Sequence, residues 1–230
     1  MNSYAATRHQ VETYFDKTAT RTWEALTSDE RVSGIRATVR AGRDRMRDLM
    51  LVQLPDDLRG MRILDAGCGT GAMTQELVKR GADEVVAVDI SPALINIAKD
   101  RTPEELQSRI TWVAGDMLED TSGGFDHVMA MDSLIYYALD DVVSIIDRAS
   151  RRTAGKIIFT TPPRTPALMA MWRIGKLFPR ADRSPVMQPQ RYSDIANGLK
   201  ARNVKGHLRE IERVKSGFYI SNLLTFEGAI

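Results

Sequence analysis

Residues 63–71 read Ile-Leu-Asp-Ala-Gly-Cys-Gly-Thr-Gly. A short apolar run ends at Asp65, three glycines follow in alternation, and a helical pattern begins near residue 71. The order is strand, tight turn, helix. Gly67, Gly69 and Gly71 let the backbone turn sharply and approach a ligand closely. The helix start beyond them offers unpaired N–H groups and the positive end of a dipole. Such a loop suits any nucleotide-like ligand, and Gly67, Gly69 and Ala72 also satisfy the relaxed dinucleotide pattern G-x-G-x-x-A.

Outward from this loop, β-rich runs recur at Arg62–Asp65, Val85–Asp89, Ile110–Ala114, Asp126–Ala130 and Lys156–Thr160. Helical stretches lie near 71–80, 92–101 and 139–152. The alternation predicts an α/β fold with a mainly parallel sheet and helices on both faces. His207–Lys215 and Gly217–Phe226 meet at Ser216-Gly217, close enough for an antiparallel hairpin. Residues 1–58 read as a helical arm, in which Ile35, Val39, Met46 and Met50 keep one face apolar. Arg36, Arg40, Arg43 and Arg47 repeat on a neighbouring face, either as a solvated surface or as holders of carboxylates. Pro55–Gly60 separates this arm from a core at 59–230.

The 230 residues suffice for one domain with a full core. A composition 43% hydrophobic and 27% charged is that of a soluble globular protein. The net charge of +2 gives no electrostatic footprint for nucleic acid, so no such partner is expected. The single cysteine, Cys68, excludes an intrachain disulfide framework. No apolar run reaches the ~18 residues of a transmembrane helix, and the start MNSYAATRHQVETYFDK lacks the apolar centre of a secretory leader. A cytoplasmic location is expected, with peripheral contact to a membrane surface left open.

The acids near the glycine loop decide among ligands. Asp65 stands immediately before the turn, where a carboxylate repels a pyrophosphate but suits an ammonium and a sulfonium. Asp89 ends the next strand, where it can accept from both hydroxyls of a ribose. After the third strand, Asp116 can accept from an adenine amino group while the Met117 N–H serves a ring nitrogen. The fourth strand ends in Ala130-Met131-Asp132-Ser133 beside the same ligand. In order and spacing these stations resemble the class I S-adenosylmethionine-dependent methyltransferases. The resemblance implies a Rossmann-like, seven-stranded, mostly parallel sheet closed by the C-terminal hairpin. It places Asp65, Gly67, Cys68, Gly69, Gly71, Asp89, Ile90, Asp116, Met117 and Met131 around the methyl donor. Cys68 reads as a small packing residue in the loop rather than a nucleophile.

Two clues bear on the methyl acceptor. The loop after the fourth strand carries neither NPPY nor DPPY, and the three histidines, His9, His127 and His207, have no metal-binding company. No strong general base is evident, which fits an acceptor already anionic at neutral pH, such as a carboxylate. The second clue is the insertion at about 161–191. It sets Arg164, Arg173, Lys176, Arg180, Arg183 and Arg191 against one acid, Asp182, among Met169, Met171, Trp172, Leu177 and Phe178. One reading is a helix packed on the core with its basic residues in water. The other is a lid over a large, flat, apolar ligand bearing acidic groups, since methionine adapts to such surfaces and arginine pairs with carboxylates. In that reading Arg164, Met169, Trp172, Arg180 and Arg183 bind the substrate.

Several segments together are more restrictive than the glycine loop. They are Val11-x-x-Tyr14-Phe15-Asp16, Trp23, Val39-Arg40-x-Gly42-Arg43, Ala130–Ile135, Phe178-Pro179-Arg180-x-Asp182-Arg183-Ser184-Pro185 and Ser216-Gly217-Phe218-Tyr219. With the loop they resemble the magnesium-protoporphyrin IX O-methyltransferases of (bacterio)chlorophyll synthesis, in the version found in purple phototrophic bacteria. That resemblance implies methylation of the C13 propionate of Mg-protoporphyrin IX by S-adenosylmethionine. The magnesium belongs to the substrate, so no protein-bound metal is expected. It also implies an arm that closes over the ligands, with Tyr14 at the arm tyrosine as a catalytic residue that orients or hydrogen-bonds the propionate, and Arg40 on the donor's carboxylate. The family often reads SLIHY where this chain has Ser133-Leu-Ile-Tyr136-Tyr137. A phenol near pKa 10 is a poor base at neutral pH, so Tyr136 is expected to hold the carboxylate rather than take a proton. A handover contact with magnesium chelatase follows as an expected partnership. The competing readings are a quinone or phenol O-methyltransferase, and a carrier of the porphyrin that binds without catalysis.

Overall fold

Alternation within the strands builds two apolar cores, one on each face of a single sheet. A computed structural model describes residues 4–16, 34–118, 123–164 and 187–229. The strands are β1 (Arg62–Ala66), β2 (Glu84–Asp89), β3 (Ile110–Ala114), β4 (His127–Ala130), β5 (Lys156–Thr161), β6 (Gly206–Ser216) and β7 (Tyr219–Gly228). Their order across the sheet is β3-β2-β1-β4-β5-β7-β6. The first five pair in parallel, whereas β7 runs antiparallel to both β5 and β6. The helices are α1 (Tyr4–Tyr14), α2 (Gly34–Leu51), α3 (Ala72–Lys79), α4 (Pro92–Arg101), α5 (Glu104–Gln107), α6 (Leu139–Ser150) and α7 (Tyr192–Ala201).

Ile63, Val85, Met129 and Ile158 face one way and pack with Met46 and Met50 of α2 and Leu77 of α3. Their chain neighbours Leu64, Val86, Val128 and Ile157 face the other way, onto Ile146 of α6 and Ile195 of α7. A two-residue side-chain period forces this division. Strands apolar on both faces are what a sheet covered by helices requires. The expected strands and helices agree with those observed to within a residue or two at most ends. Two helices were not foreseen: α5 is too short to show a period, and α7 begins after a run of polar and proline residues. Most of the insertion, residues 165–186, lies outside the described residues, as do residues 17–33.

The chain order reverses at β1. Successive strands run outward from β1 to β3, and the chain then returns to the opposite side of β1 for β4. Crevices at such reversals, beyond the carboxyl ends of parallel strands, are where open α/β sheets bind ligands. The arm helix α2 is pinned across the β6–β7 hairpin. Ser216 Oγ donates to the Thr38 carbonyl at 2.8 Å. Gly217 makes the hairpin turn at a φ of 57°, and any side chain there would run into Thr38. A Cβ on Gly42 would stand 2.7 Å from the Tyr219 ring, so α2 approaches the hairpin through a glycine. Gly42→Ala is therefore expected to lower stability by about 1–3 kcal/mol through overpacking, although alanine in a helix interior normally adds about 1 kcal/mol. Urea unfolding measures the difference; a gain in stability would show that α2 is not held against Tyr219.

Candidate active site

A cavity of about 660 Å³ lies beyond the carboxyl ends of β1 to β4, within the size range of small-molecule cofactor sites. Its floor is the glycine loop. Gly67 and Cys68 both donate to the Val88 carbonyl, at 2.7 and 3.0 Å, which stitches the loop to β2. Gly67 has a φ of 83°, and any side chain on it would run into Ser133. Gly71, at φ 84°, is the N-terminal cap of α3 and packs against Ala98 and Trp112 instead of facing the cavity.

Two buried carboxylates flank the loop. Asp65 Oδ2 accepts from Thr74 Oγ1 at 2.6 Å. Asp89 accepts from the Gly69 N–H at 2.8 Å and the Ser91 N–H at 2.9 Å. Burial pushes Asp65 up to about 7, opposed by the Thr74 hydroxyl and aided by the charge of Asp89. Burial likewise pushes Asp89 up to about 6, although the Ser91 and Gly69 N–H groups hold it down. Two neighbouring acids so poorly solvated favour a cation between them. The same burial and the same two acids push the Cys68 thiol well above its ordinary value, so it is no nucleophile.

The arm reaches this floor from above. Tyr4 donates its hydroxyl to Asp116 Oδ1 at 2.8 Å, and Arg8 Nη1 donates to Oδ2 at 3.1 Å. Asp16 accepts from Ser91 Oγ at 2.6 Å and from the Ala93 N–H at 3.3 Å, so an arm carboxylate caps the start of α4. Phe15 meets Tyr136 edge-on at 5.9 Å.

On the other side of β1 the polar groups gather on Asp132, which follows β4 at a φ of 55°. Arg43 Nη1 donates to Asp132 Oδ2 at 2.9 Å. Tyr219 and Thr160 donate to Oδ1, each at 3.1 Å. The Asp132 N–H donates back to Thr160 Oγ1 at 2.8 Å. Burial first, and then the charge of Asp132, raise the Tyr136 and Tyr219 phenols well above their ordinary values, so both stay protonated donors.

This arrangement coincides with known proteins. Residues 130–227 match the family model described as magnesium-protoporphyrin IX methyltransferase C-terminus, and residues 63–155 match a general methyltransferase domain. The chain is 53% identical over 226 residues to the magnesium-protoporphyrin O-methyltransferase of Rhodobacter capsulatus, covering 98% of each chain. It belongs to the magnesium-protoporphyrin O-methyltransferase family. The crystal structure of the Synechocystis PCC 6803 magnesium protoporphyrin IX methyltransferase (ChlM) with bound SAH superposes with a TM-score of 0.83 at 25% identity, covering 97% of this chain and 100% of that one. Ubiquinone biosynthesis O-methyltransferases, such as one from Xanthomonas oryzae at 33% identity, match only 54% of this chain.

The class I methyltransferase fold expected from the sequence is thereby established, and S-adenosylmethionine is the methyl donor of this family member. Its charge pattern fits the cavity. Asp65 suits the cationic part and Asp89 the ribose hydroxyls, and the Ser133 hydroxyl, packed against Gly67, is buried without a hydrogen-bond partner among the described residues. Arg40, Gly67, Cys68, Gly69, Ile90, Met117, Met131 and Tyr136 line the same cavity as the three acids. Arg43 and Arg47 join Arg40 there, so the arginine stripe of α2 faces the site; the Arg36 side chain lies outside the described part.

Not every expected site residue is brought to this cavity. Tyr14 packs edge-on against Phe15 at 5.2 Å and is not on the wall. Arg164 stands away from it, 4.0 Å from Asp194. Met169, Trp172, Arg180 and Arg183 lie outside the described residues. His127 is buried in β4, where Nδ1 accepts from the Lys156 N–H at 3.0 Å, a structural role. The roles of Asp16, Thr160 and Tyr219 were missed, although Asp16 and Tyr219 fall within the family-like segments; Arg43 holds a carboxylate, that of Asp132, as one reading of the arginine stripe expected.

The raised carboxylates set a pH dependence. Their folded values exceed the ordinary one near 4, so the folded ligand-free protein holds these protons more tightly than the unfolded chain. Their contribution to stability is thus fully present at low pH and is lost as pH rises through about 6 to 7. A cationic ligand favours the ionised forms. S-adenosylmethionine affinity is expected to rise about tenfold or more between pH 5.5 and 8, with proton release. Calorimetry in buffers of different ionisation enthalpy measures both, and Asp65→Asn should flatten the profile. An affinity constant across this range would contradict the assignment.

Proposed function

We propose that this protein transfers a methyl group from S-adenosylmethionine to the C13 propionate of Mg-protoporphyrin IX, giving the monomethyl ester in bacteriochlorophyll synthesis. The observation that carries this reading is the chemistry of the cavity beyond β4. It presents the Arg43 guanidinium and the Tyr136 phenol, and the Asp132 carboxylate beside them already accepts from Arg43, Tyr219 and Thr160. A carboxylate so engaged is a poor proton acceptor. A phenol or quinol acceptor needs a base; a propionate does not.

Bound at Asp65 and Asp89, S-adenosylmethionine supplies a methyl group on a sulfonium, whose C–S bond breaks as a propionate oxygen forms the new C–O bond, with sulfur keeping the electron pair and no proton moving. The chain's own residues position and exclude water. Asp65 and Asp89 hold the cationic donor, and Arg40 takes its carboxylate. Phe15 and Val11 of the arm close the cavity from above. Tyr136 donates a hydrogen bond to the acceptor carboxylate and keeps it in line with the methyl group. Two opposite charges are neutralised in the transfer, which a water-poor site accelerates.

The rest of the reading concerns surroundings. Residues 1–58 act as a closing arm on a core at 59–230, and the basic insertion covers the porphyrin, with Arg164, Met169, Trp172, Arg180 and Arg183 toward it. No helix among the described residues is long and apolar enough to cross a membrane. A cytoplasmic enzyme that receives its substrate in a contact with magnesium chelatase fits this reading, and its apolar substrate makes peripheral membrane contact compatible with it.

The test is incubation with Mg-protoporphyrin IX and methyl-labelled S-adenosylmethionine, followed by mass analysis. One labelled methyl ester is expected; absence of ester at saturating donor would overturn the proposal. Tyr136→Phe should reduce kcat/KM for the porphyrin by about tenfold, the worth of one hydrogen bond to a charged group, with donor affinity unchanged. An unaltered kcat/KM would remove Tyr136 from this role.

A further inference from the structure

Asp132 adopts a left-handed backbone conformation that costs a non-glycine residue free energy. Strain of this kind persists where the surroundings enforce it, and here β5, β7 and α2 all do so, through Thr160, Tyr219 and Arg43. The Asp132 side chain is 7% exposed and that of Arg43 20%, yet both line the ligand cavity. A buried ion pair is weak as a source of stability, because desolvation offsets the attraction. Its presence on a cavity wall calls for another reason.

Sheet order supplies one. The donor stations, Asp65, Asp89 and Asp116, stand at or just past the carboxyl ends of β1, β2 and β3. Asp132 follows β4, and Thr160 and Tyr219 belong to β5 and β7; these strands extend the opposite way from β1. Arg43 is therefore on the side of the cavity away from the donor's ribose and adenine. It also lies close to Tyr136, whose phenol responds to the charges of both Asp132 and Arg43.

We propose that Arg43 receives the acceptor's carboxylate, and that Asp132, Tyr219 and Thr160 are positioning residues that fix its guanidinium on the cavity wall. The proposal rests on the reading that the acceptor is a carboxylate. A guanidinium is planar, so its bond to Asp132 sets the plane that Arg43 presents to a carboxylate in the cavity. Asp132 has a second effect. It offsets part of the Arg43 charge, so the acceptor oxygen is oriented without having its lone pairs drawn fully onto the arginine. Tyr219 carries this arrangement to the hairpin, and Gly42 lets α2 bring Arg43 within reach. The two sequence segments Val39–Arg43 and Ser216–Tyr219 thus form the two halves of one acceptor clamp.

The experiment compares Mg-protoporphyrin IX with its dimethyl ester, which has the same ring and no carboxylates. Both are titrated by fluorescence quenching into the full-length wild type, Arg43→Gln and Tyr219→Phe, and S-adenosylmethionine is titrated by calorimetry into each. The wild type should prefer the diacid by about tenfold or more. Arg43→Gln should bring that preference to within about twofold, and Tyr219→Phe should reduce it about threefold, with donor affinity unchanged in both. Turnover of Tyr219→Phe should show a raised KM for the porphyrin with an unchanged KM for the donor, alongside the modest fall in melting temperature that loss of one buried hydrogen bond brings; a merely structural tyrosine would weaken both ligands together. A diacid preference that survives in Arg43→Gln, or a comparable loss of donor affinity, would overturn the proposal. Ester formation by the wild type is read in the same preparation, so failure of the carboxylate reading is seen separately.

Discussion

Two carboxylates buried beside each other at the ends of adjacent parallel strands are the constraint to which the rest of the cleft responds. Asp65 and Asp89 are 1% and 8% exposed, and that burial makes the ionisation of each costly. The chain offsets part of that cost with the Thr74 hydroxyl and with the Gly69 and Ser91 N–H groups. Aiming those N–H groups requires the loop to turn through left-handed conformations, which is why glycines stand at 67 and 69. Among the described residues, no side chain pairs a cation with either acid. A sulfonium- and ammonium-bearing donor supplies one, and the affinity of the site is thereby tied to the charge of its ligand.

The reversal of strand order at β1 then divides the cleft by charge. Asp65, Asp89 and Asp116 stand at or just past the ends of β1, β2 and β3, whereas beyond β4 the cavity presents Arg43, paired with Asp132, and the Tyr136 phenol kept protonated by burial. Cationic donor and anionic acceptor are drawn to opposite sides of one strand, so their reacting atoms meet near the division. The arm joins both sides. Asp16 caps α4 next to the Asp89 station, Tyr4 and Arg8 engage Asp116, and α2 carries Arg40 and Arg43 along the wall.

The donor half was legible in the sequence because its residues are local to strand ends. An apolar run that stops at an acid, followed by glycines, fixes both the turn and the ligand's charge within nine residues. Asp89 and Asp116 could be placed because each ends or follows a strand recognisable by itself. The acceptor half was not legible in the same way. Arg43, Asp132, Thr160 and Tyr219 come from four separate elements, and only the three-dimensional sheet order brings them together. Asp132 was noted as lying beside the donor, but its φ and its three partners have no trace in local pattern. Gly42 and Gly217 likewise read as unremarkable glycines in a helix and a turn until α2 is seen against the hairpin. Tyr14 was placed in the site by family likeness, whereas the fold turns its neighbour Phe15 toward the cavity. The basic insertion could be read for its chemistry, and the described residues add only its two flanks.

The central claim is that charge pairing and alignment suffice, so that no proton is in flight when the methyl group moves. Single-turnover transfer to Mg-protoporphyrin IX, with both ligands saturating, measures this directly in light and heavy water. Equal rates in the two solvents are predicted above pH 7, where Asp65 and Asp89 are ionised and the propionate carries its charge. A rate that falls in heavy water would mean that a base removes a proton in the transition state, and would contradict it.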